Sequence, residues 1–140
     1  MRRWAPHCHA PVMEISVHNP TSGVYPATSD YVHAIEVRGV ERTLYVSGTM
    51  GLDPSGAAGA TFDEQLDLVW SNLRTILASA DMTVDNIVRV TSYLRDRSYA
   101  VPNAAARNKA LGGRFVPVTA IVVDHLADDW LVELEVIAAA

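Results

Sequence analysis

Residues 86–95 read NIVRVTSYLR, a run rich in β-branched residues that lies between two helical patterns. Such residues favour strands, where successive side chains point to opposite faces of a sheet. A helix that links two parallel neighbouring strands forms a right-handed crossover, which here would bring both helices to one face of the sheet. The segment therefore predicts an α+β fold with a mixed sheet and two helices on one face.

The helix before this strand is predicted at about 61–80, where apolar residues recur at helical spacing. Thr61 and Glu64 have the form of a capping box at its start. The second helix is predicted at about 99–111, with Pro102 in its first turn and a Gly-Gly pair as its stop.

The other β-prone runs complete the order β-β-β-α-β-α-β-β. They predict an edge strand near 14–17, an antiparallel hairpin of 31–38 and 43–49 around residues 39–42, and closing strands at about 118–124 and 130–138.

Alternation divides the side chains of two strands between two faces. In 86–95 it groups Val88, Val90 and Leu94 on one face, and Ile87, Arg89, Thr91 and Tyr93 on the other. In the last strand it groups Val132, Leu134 and Val136 on one face, and Leu131, Glu133, Glu135 and Ile137 on the other. The second face mixes polar and apolar residues, which favours an interface between copies and predicts a homo-oligomer.

The 140 residues predict one domain at 13–140, preceded by a flexible extension at 1–12. The net charge of −5 argues against tight nucleic-acid binding, which depends on Lys and Arg. Because the chain has one cysteine, no apolar span and no signal-like start, we expect a cytoplasmic protein without a membrane partner.

Neither a metal nor a cofactor is expected. His7, Cys8 and His9 have metal-ligand side chains but no fourth ligand at a defined spacing. The glycine-rich loop 48–59 lacks the Lys-Ser/Thr pair of a phosphate-binding loop.

Several segments, taken in order, resemble the Rid superfamily, also known as YjgF or reactive-intermediate deaminase proteins. They are SDYVHAIEV with Tyr31, TLYVSG ending in Ser47-Gly48, LDPSG, NLRTIL, NIVRVTSYL, Asn103, Pro117 and LVELEVIA, and they span roughly residues 20–139. The resemblance implies a chorismate-mutase-like fold, a homotrimer and ligand clefts between subunits. It also implies hydrolysis of reactive enamines and imines to ketones and ammonia without a metal or cofactor.

The resemblance places a small-molecule site on particular residues. Glu133 corresponds to the family glutamate that holds water or ligand, which would make it the general base; the alternative is a salt bridge within the oligomer interface, for which Arg89 is a candidate partner. The implied substrate-binding residues are Tyr31, Ser47, Gly48, Thr119, Ile121 and Arg114.

Thr119 marks the chain as an atypical member. In typical members a Pro-Ala-Arg-Ser motif supplies an arginine that grips the substrate carboxylate, and Thr119 takes its place in Pro117-Val-Thr-Ala120. A guanidinium makes two charge-assisted hydrogen bonds to a carboxylate, whereas threonine makes a single neutral one. Arg114 is either a replacement anchor or a solvated residue after the Gly-Gly stop.

Three functions follow from these residues. The first is hydrolysis of an enamine or imine with reduced dependence on a carboxylate anchor. The second is a non-catalytic ligand-binding or sensing trimer, and the third, weakened by the acidic balance, is an endoribonuclease.

Overall fold

The computed structural model of the chain describes residues 12–140, so the predicted extension lies outside the described residues except for Val12. The elements in chain order are β1 (Glu14–His18), β2 (Ala34–Arg38), β3 (Thr43–Tyr45), β4 (Thr49–Met50), α1 (Phe62–Ser79), β5 (Ile87–Leu94), α2 (Ala100–Ala110), β6 (Val118–Val122) and β7 (Val132–Ala139). Within residues 12–140, no helix combines the length and the apolar character needed to cross a membrane.

The main sheet is mixed and is built around β7. This strand pairs antiparallel with β3, β4 and β5, and β5 pairs parallel with β6. Helix α2 links the parallel neighbours β5 and β6, as predicted. Helix α1 does not link neighbours, because β7 lies between β3 and β5. The predicted α+β fold, a mixed sheet with two helices packed on it, is confirmed.

The predicted hairpin of 31–38 with 43–49 is wrong. Strand β2 instead pairs with β1 in a separate two-stranded sheet, and β3 pairs with β7. Gly39 has a φ of 68°, a left-handed conformation that suits glycine. Beyond it, Arg42 exchanges backbone hydrogen bonds of 2.9 and 3.0 Å with Ala140 at the end of β7. The turn therefore directs the chain onto β7 rather than back along β2.

A register shift at the start of β5 changes which side chains reach the core. The pairing with β7 is irregular between Ile87 and Arg89, as in a β-bulge, which resets the alternation of faces. Ile87 and Val90 are both completely buried in the core, whereas Val88 is only half-buried. The predicted grouping of Val88 with Val90, and of Ile87 with Arg89, is therefore wrong, because Ile87 shares the core with Val90 and Val88 lines a pocket with Arg89.

Helix α1 supplies much of the core through one apolar stripe. Thr61 accepts a hydrogen bond from the backbone N–H of Glu64, while the Glu64 carboxylate accepts one from Ala60 N. The capping box is thus displaced by one residue, but the helix start is confirmed. Val69, Leu73, Trp70 and Leu77 pack in the same core cluster as the buried residues of β5 and β7.

Substituting the buried face of α1 tests this packing. Leu73 is fully buried and Ile76 is 36% exposed on the same helix. We expect Leu73→Ala to lower the free energy of unfolding by about 2–5 kcal/mol, because it leaves a cavity. The matched control Ile76→Ala should cost less than about 1 kcal/mol. Urea unfolding measures both, and equal losses would contradict the assignment of the core face.

Candidate functional site

The face of the main sheet opposite the helices, here named the outer face, carries polar side chains in order. The strand registers create two cross-strand rows, Ile121–Tyr93–Glu133 and Thr119–Thr91–Glu135. Side chains directly opposite one another on a sheet lie about 4.5–5.5 Å apart, which is close enough to interact. The predicted site residues Thr119, Ile121 and Glu133 therefore lie on one face.

The carboxylate of Glu133 is held against the backbone of Gly48. A Cβ atom at position 48 would overlap Glu133 Oε1 and come within 2.9 Å of its Cδ. Only glycine leaves room for the carboxylate in this position. With Tyr93 and His125 these residues line a pocket of about 300 Å³, here named the Glu133 pocket. The structure thus brings the predicted residues Gly48 and Glu133 together.

Tyr93 places a neutral hydrogen-bond donor beside the carboxylates of Glu133 and Glu135. Its hydroxyl donates a long hydrogen bond of 3.5 Å to Glu135 Oε1. Desolvation, and then the negative charges of Glu135 and Glu133, raise the pKa of the Tyr93 phenol. Since both effects disfavour the phenolate, the hydroxyl stays protonated at neutral pH. Tyr93 was not predicted as a site residue, although alternation had placed it on the same strand face as Arg89 and Thr91.

His125, which also lines the Glu133 pocket, was not identified from the sequence either. Its Nε2 lies 3.2 Å from the carbonyl oxygen of Tyr93, and a carbonyl can only accept. Nε2 therefore carries the proton of that bond. Nδ1 is buried and has no hydrogen-bond partner among the described residues.

A second polar site lies on the outer face around Arg89. Arg89 Nη2 donates a hydrogen bond of 3.0 Å to Thr119 Oγ1. Arg89 is exposed, and within residues 12–140 it forms no ion pair with an acidic side chain. It lines a pocket of about 350 Å³, here named the Arg89 pocket, together with His33, Ala34, Ile35, Val37, Val88, Pro117 and Ile137. The alternative of a Glu133–Arg89 ion pair is not formed within the protomer.

Tyr31 contacts His33, one of the residues that line the Arg89 pocket. Its ring packs edge-on against His33, with centroids 5.9 Å apart. The adjacent Asp30 fixes this segment, because buried Arg107 donates hydrogen bonds of 3.2 and 2.8 Å to its carbonyl and carboxylate oxygens. The hydrogen bond from Thr28, and then Arg107, lower the pKa of Asp30.

Arg114 and Ser47 line neither the Glu133 pocket nor the Arg89 pocket. Arg114 donates hydrogen bonds of 2.8 Å to the carbonyl oxygens of both Val84 and Ile87, and burial lowers the pKa of its guanidinium. These bonds hold the start of β5, four residues before Thr91, the partner of Thr119. Ser47 is exposed beside Gly48 and lines a groove of about 890 Å³ between the β3–β4 segment and α1.

Within one protomer, the predicted site residues on the outer face therefore form two separate groups. Tyr31 and Thr119 contact His33 and Arg89, which line the Arg89 pocket, and Gly48, Ile121 and Glu133 lie around Tyr93. Strand β5 lies between Thr119 and Glu133, so at about 4.8 Å per strand spacing they are roughly 10 Å or more apart. In the described part of the chain, no three His, Cys, Asp or Glu side chains are grouped so that they could hold a metal ion.

The fold and its two polar pockets define a class of α+β protein whose candidate sites lie on the sheet face opposite the helices. Residues 23–140 match the family described as Endoribonuclease L-PSP, and the chain belongs to this family within the Rid superfamily. The expected family membership is thereby confirmed.

Individual relatives agree with this assignment. The chain is 33% identical over 103 residues to the RutC family protein UK114 of Drosophila melanogaster, covering 70% of this chain and 72% of that protein. It is 37% identical over 67 residues to a RutC family protein of Aquifex aeolicus, covering 47% of this chain and 51% of that relative. The alignment therefore spans about half the length of the Aquifex protein.

A solved structure shows the same fold. The Yersinia pestis protein YyfB, described as a protein of unknown function of the conserved Rid protein family, superposes with a TM-score of 0.77 at 26% identity. The match covers 90% of this chain and 98% of that chain.

Two glycine variants test the contact beneath Glu133. We expect Gly48→Ala to displace the Glu133 carboxylate while lowering the free energy of unfolding by less than about 1 kcal/mol, because a flexible side-chain end can move. Gly51→Ala is the contrasting variant, because its methyl would meet the Gln65 Cα at 2.6 Å. It should cost about 1–3 kcal/mol. Crystal structures and urea unfolding check both; an unmoved Glu133 in Gly48→Ala would contradict the contact.

Proposed function

We propose that this protein hydrolyses a reactive imine or enamine to a carbonyl compound and ammonia, in clefts between the subunits of a homotrimer. The observation that carries the proposal is the Glu133 carboxylate, held against Gly48 in a pocket that also contains the Tyr93 hydroxyl. This arrangement offers a base and a neutral donor side by side.

The chemistry needs both groups. Water adds to the carbon of the C=N bond, and the resulting carbinolamine expels ammonia to leave a C=O bond. The Glu133 carboxylate takes a proton from the attacking water and passes it to the nitrogen, and it then carries the hydroxyl proton of the carbinolamine to the same nitrogen, which leaves as ammonia. General acid–base catalysis of this kind contributes typically about 10²- to 10⁴-fold in rate. The Tyr93 hydroxyl, kept protonated by its raised pKa, turns from the long 3.5 Å hydrogen bond to Glu135 and donates to the nitrogen of the bound substrate instead. An enamine reacts after it tautomerises to the imine.

The separation of the two pockets supports a cleft between copies. Arg89 is paired with Ile137, which lies four residues along β7 from Glu133, so the Cα atoms of Arg89 and Glu133 are roughly 13 Å or more apart. This separation favours a cleft that takes the two groups from different copies. Ile121 and Tyr45 expose 47% and 77% of their surfaces on the outer face, which a neighbouring copy would cover.

The proposed partners are therefore a small-molecule substrate and two further copies of the chain. The proposal includes no metal, cofactor, nucleic acid or membrane, and it places the protein in the cytoplasm. The net charge of −5 supports the omission of nucleic acid.

A second candidate function is a non-catalytic trimer that binds or senses a small molecule. Thr119 favours it, because a neutral hydroxyl stands where the resemblance implies a charged anchor. Endoribonuclease activity has the support of the family description, and the acidic balance opposes it.

The carboxylate of Glu133 tests the hydrolase proposal. We expect Glu133→Gln to lower kcat/KM for 2-iminobutanoate, generated in place, by about 10²- to 10⁴-fold, because the general base is lost. Ammonia release is the readout, and Glu14→Gln on exposed β1 is the control that should retain wild-type activity. Wild-type rates in Glu133→Gln would contradict the assignment. A wild-type protein that binds ligand without releasing ammonia would instead support the binding function.

The assembly is tested separately. We expect sedimentation equilibrium at micromolar concentration to give a trimer. Ile121→Glu should weaken it, because the substitution places a charge on an apolar part of the proposed interface. The control Val101→Glu changes an exposed residue of α2, on the helix side of the sheet, and should remain trimeric. A wild-type monomer would contradict the proposed cleft between copies.

A further inference from the structure

We infer that Arg89 binds the carboxylate of the substrate and so determines specificity for small carboxylate-bearing imines. The inference deepens the proposed function and rests on it. It starts from the position of the guanidinium on the outer face, where a ligand that enters the Arg89 pocket would meet it.

One hydrogen bond orients the Arg89 guanidinium, and its other N–H groups remain available to a ligand. Nη2 donates to Thr119 Oγ1 at 3.0 Å, which fixes the orientation of the group. A guanidinium has five N–H donors in a planar fork, and that geometry matches the two oxygens of a carboxylate. Thr119 thus acts as a positioning residue for Arg89.

The carboxylate of Glu135, on the adjacent strand β7, forms no ion pair with this cation. Glu135 lies opposite Thr91, diagonally from Arg89, yet it is absent from the ion pairs formed within residues 12–140. The Tyr93 hydroxyl contacts Glu135 Oε1 instead. An exposed guanidinium that makes no ion pair within residues 12–140 is therefore available at the Arg89 pocket and favours an anionic ligand.

The pocket walls indicate the rest of the ligand. Ile35, Val37, Val88 and Ile137 are apolar, and the volume of about 350 Å³ suits a small molecule. Apolar walls reduce the screening of a charge pair and so strengthen it. The chemistry is that of a short-chain 2-imino acid, with the carboxylate on Arg89 and the alkyl group against these walls.

Binding of a product analogue tests the anchor without requiring turnover. The probes are 2-oxobutanoate and 2-butanone, a neutral ketone in which a methyl group replaces the carboxylate. We expect Arg89→Met to weaken 2-oxobutanoate binding by about 10- to 150-fold, because charge-assisted hydrogen bonds are lost. Binding of 2-butanone should not change. Arg97→Met, at an exposed arginine outside the site, is the control that should bind both like the wild type. Protein-observed NMR titration measures each dissociation constant.

A second pair of variants separates an anchor from a structural role. Arg89→Lys keeps the charge but loses the fork, so its binding should fall between wild type and Arg89→Met. Adding Thr119→Arg to Arg89→Met should recover affinity for 2-oxobutanoate. Three results would each overturn the inference: wild-type affinity in Arg89→Met, equal loss for both probes, or no binding of 2-oxobutanoate to the wild type. Arg89-dependent binding without ammonia release would retain the anchor and reject the hydrolase.

Discussion

The pairing of β5 with β7 is the constraint on which the other features of the outer face depend. Its register places Tyr93 opposite Glu133 and Thr91 opposite Glu135, and the irregularity between Ile87 and Arg89 determines which side chains reach the core. Without the shift, strict alternation would point Ile87 outwards beside Arg89. The same β7 also pairs with β4, which carries the chain past Gly48 beneath the Glu133 carboxylate.

Arg89 offers a guanidinium at the place where Thr119 replaces the arginine that the resemblance implies. From the sequence, Thr119 implied reduced dependence on a carboxylate anchor, because Arg114 was the only cation considered near it. In the structure Arg114 is bonded to the carbonyls of Val84 and Ile87, while Arg89 reaches Thr119 from the adjacent strand. We therefore propose that one guanidinium is supplied by β5 instead of β6, with threonine holding it.

Local patterns were sufficient for the helices and for the approximate position of every strand except the two-residue β4, which was not predicted. The period of apolar residues, the Thr61 cap and the Gly-Gly stop are all contained in short segments, and the Gly112 and Gly113 φ angles of 63° and 81° agree with that stop. The wrong hairpin shows the limit, because the partner of β2 depends on contacts with β1, about twenty residues away. The contacts of Arg89 with Thr119 and of Glu133 with Gly48 depend on strand register, which alternation alone does not determine.

In the proposed trimer, each site takes its carboxylate anchor from one copy and its base from another. Mixing Arg89→Met with Glu133→Gln, after unfolding and refolding them together in equal amounts, tests it directly. Each copy then lacks one group, so only a site built from two different copies can be complete. We expect ammonia release from 2-iminobutanoate to return to about one quarter of the wild-type rate, the fraction expected for random assembly of symmetric trimers. Activity no higher than that of the separate variants would contradict it.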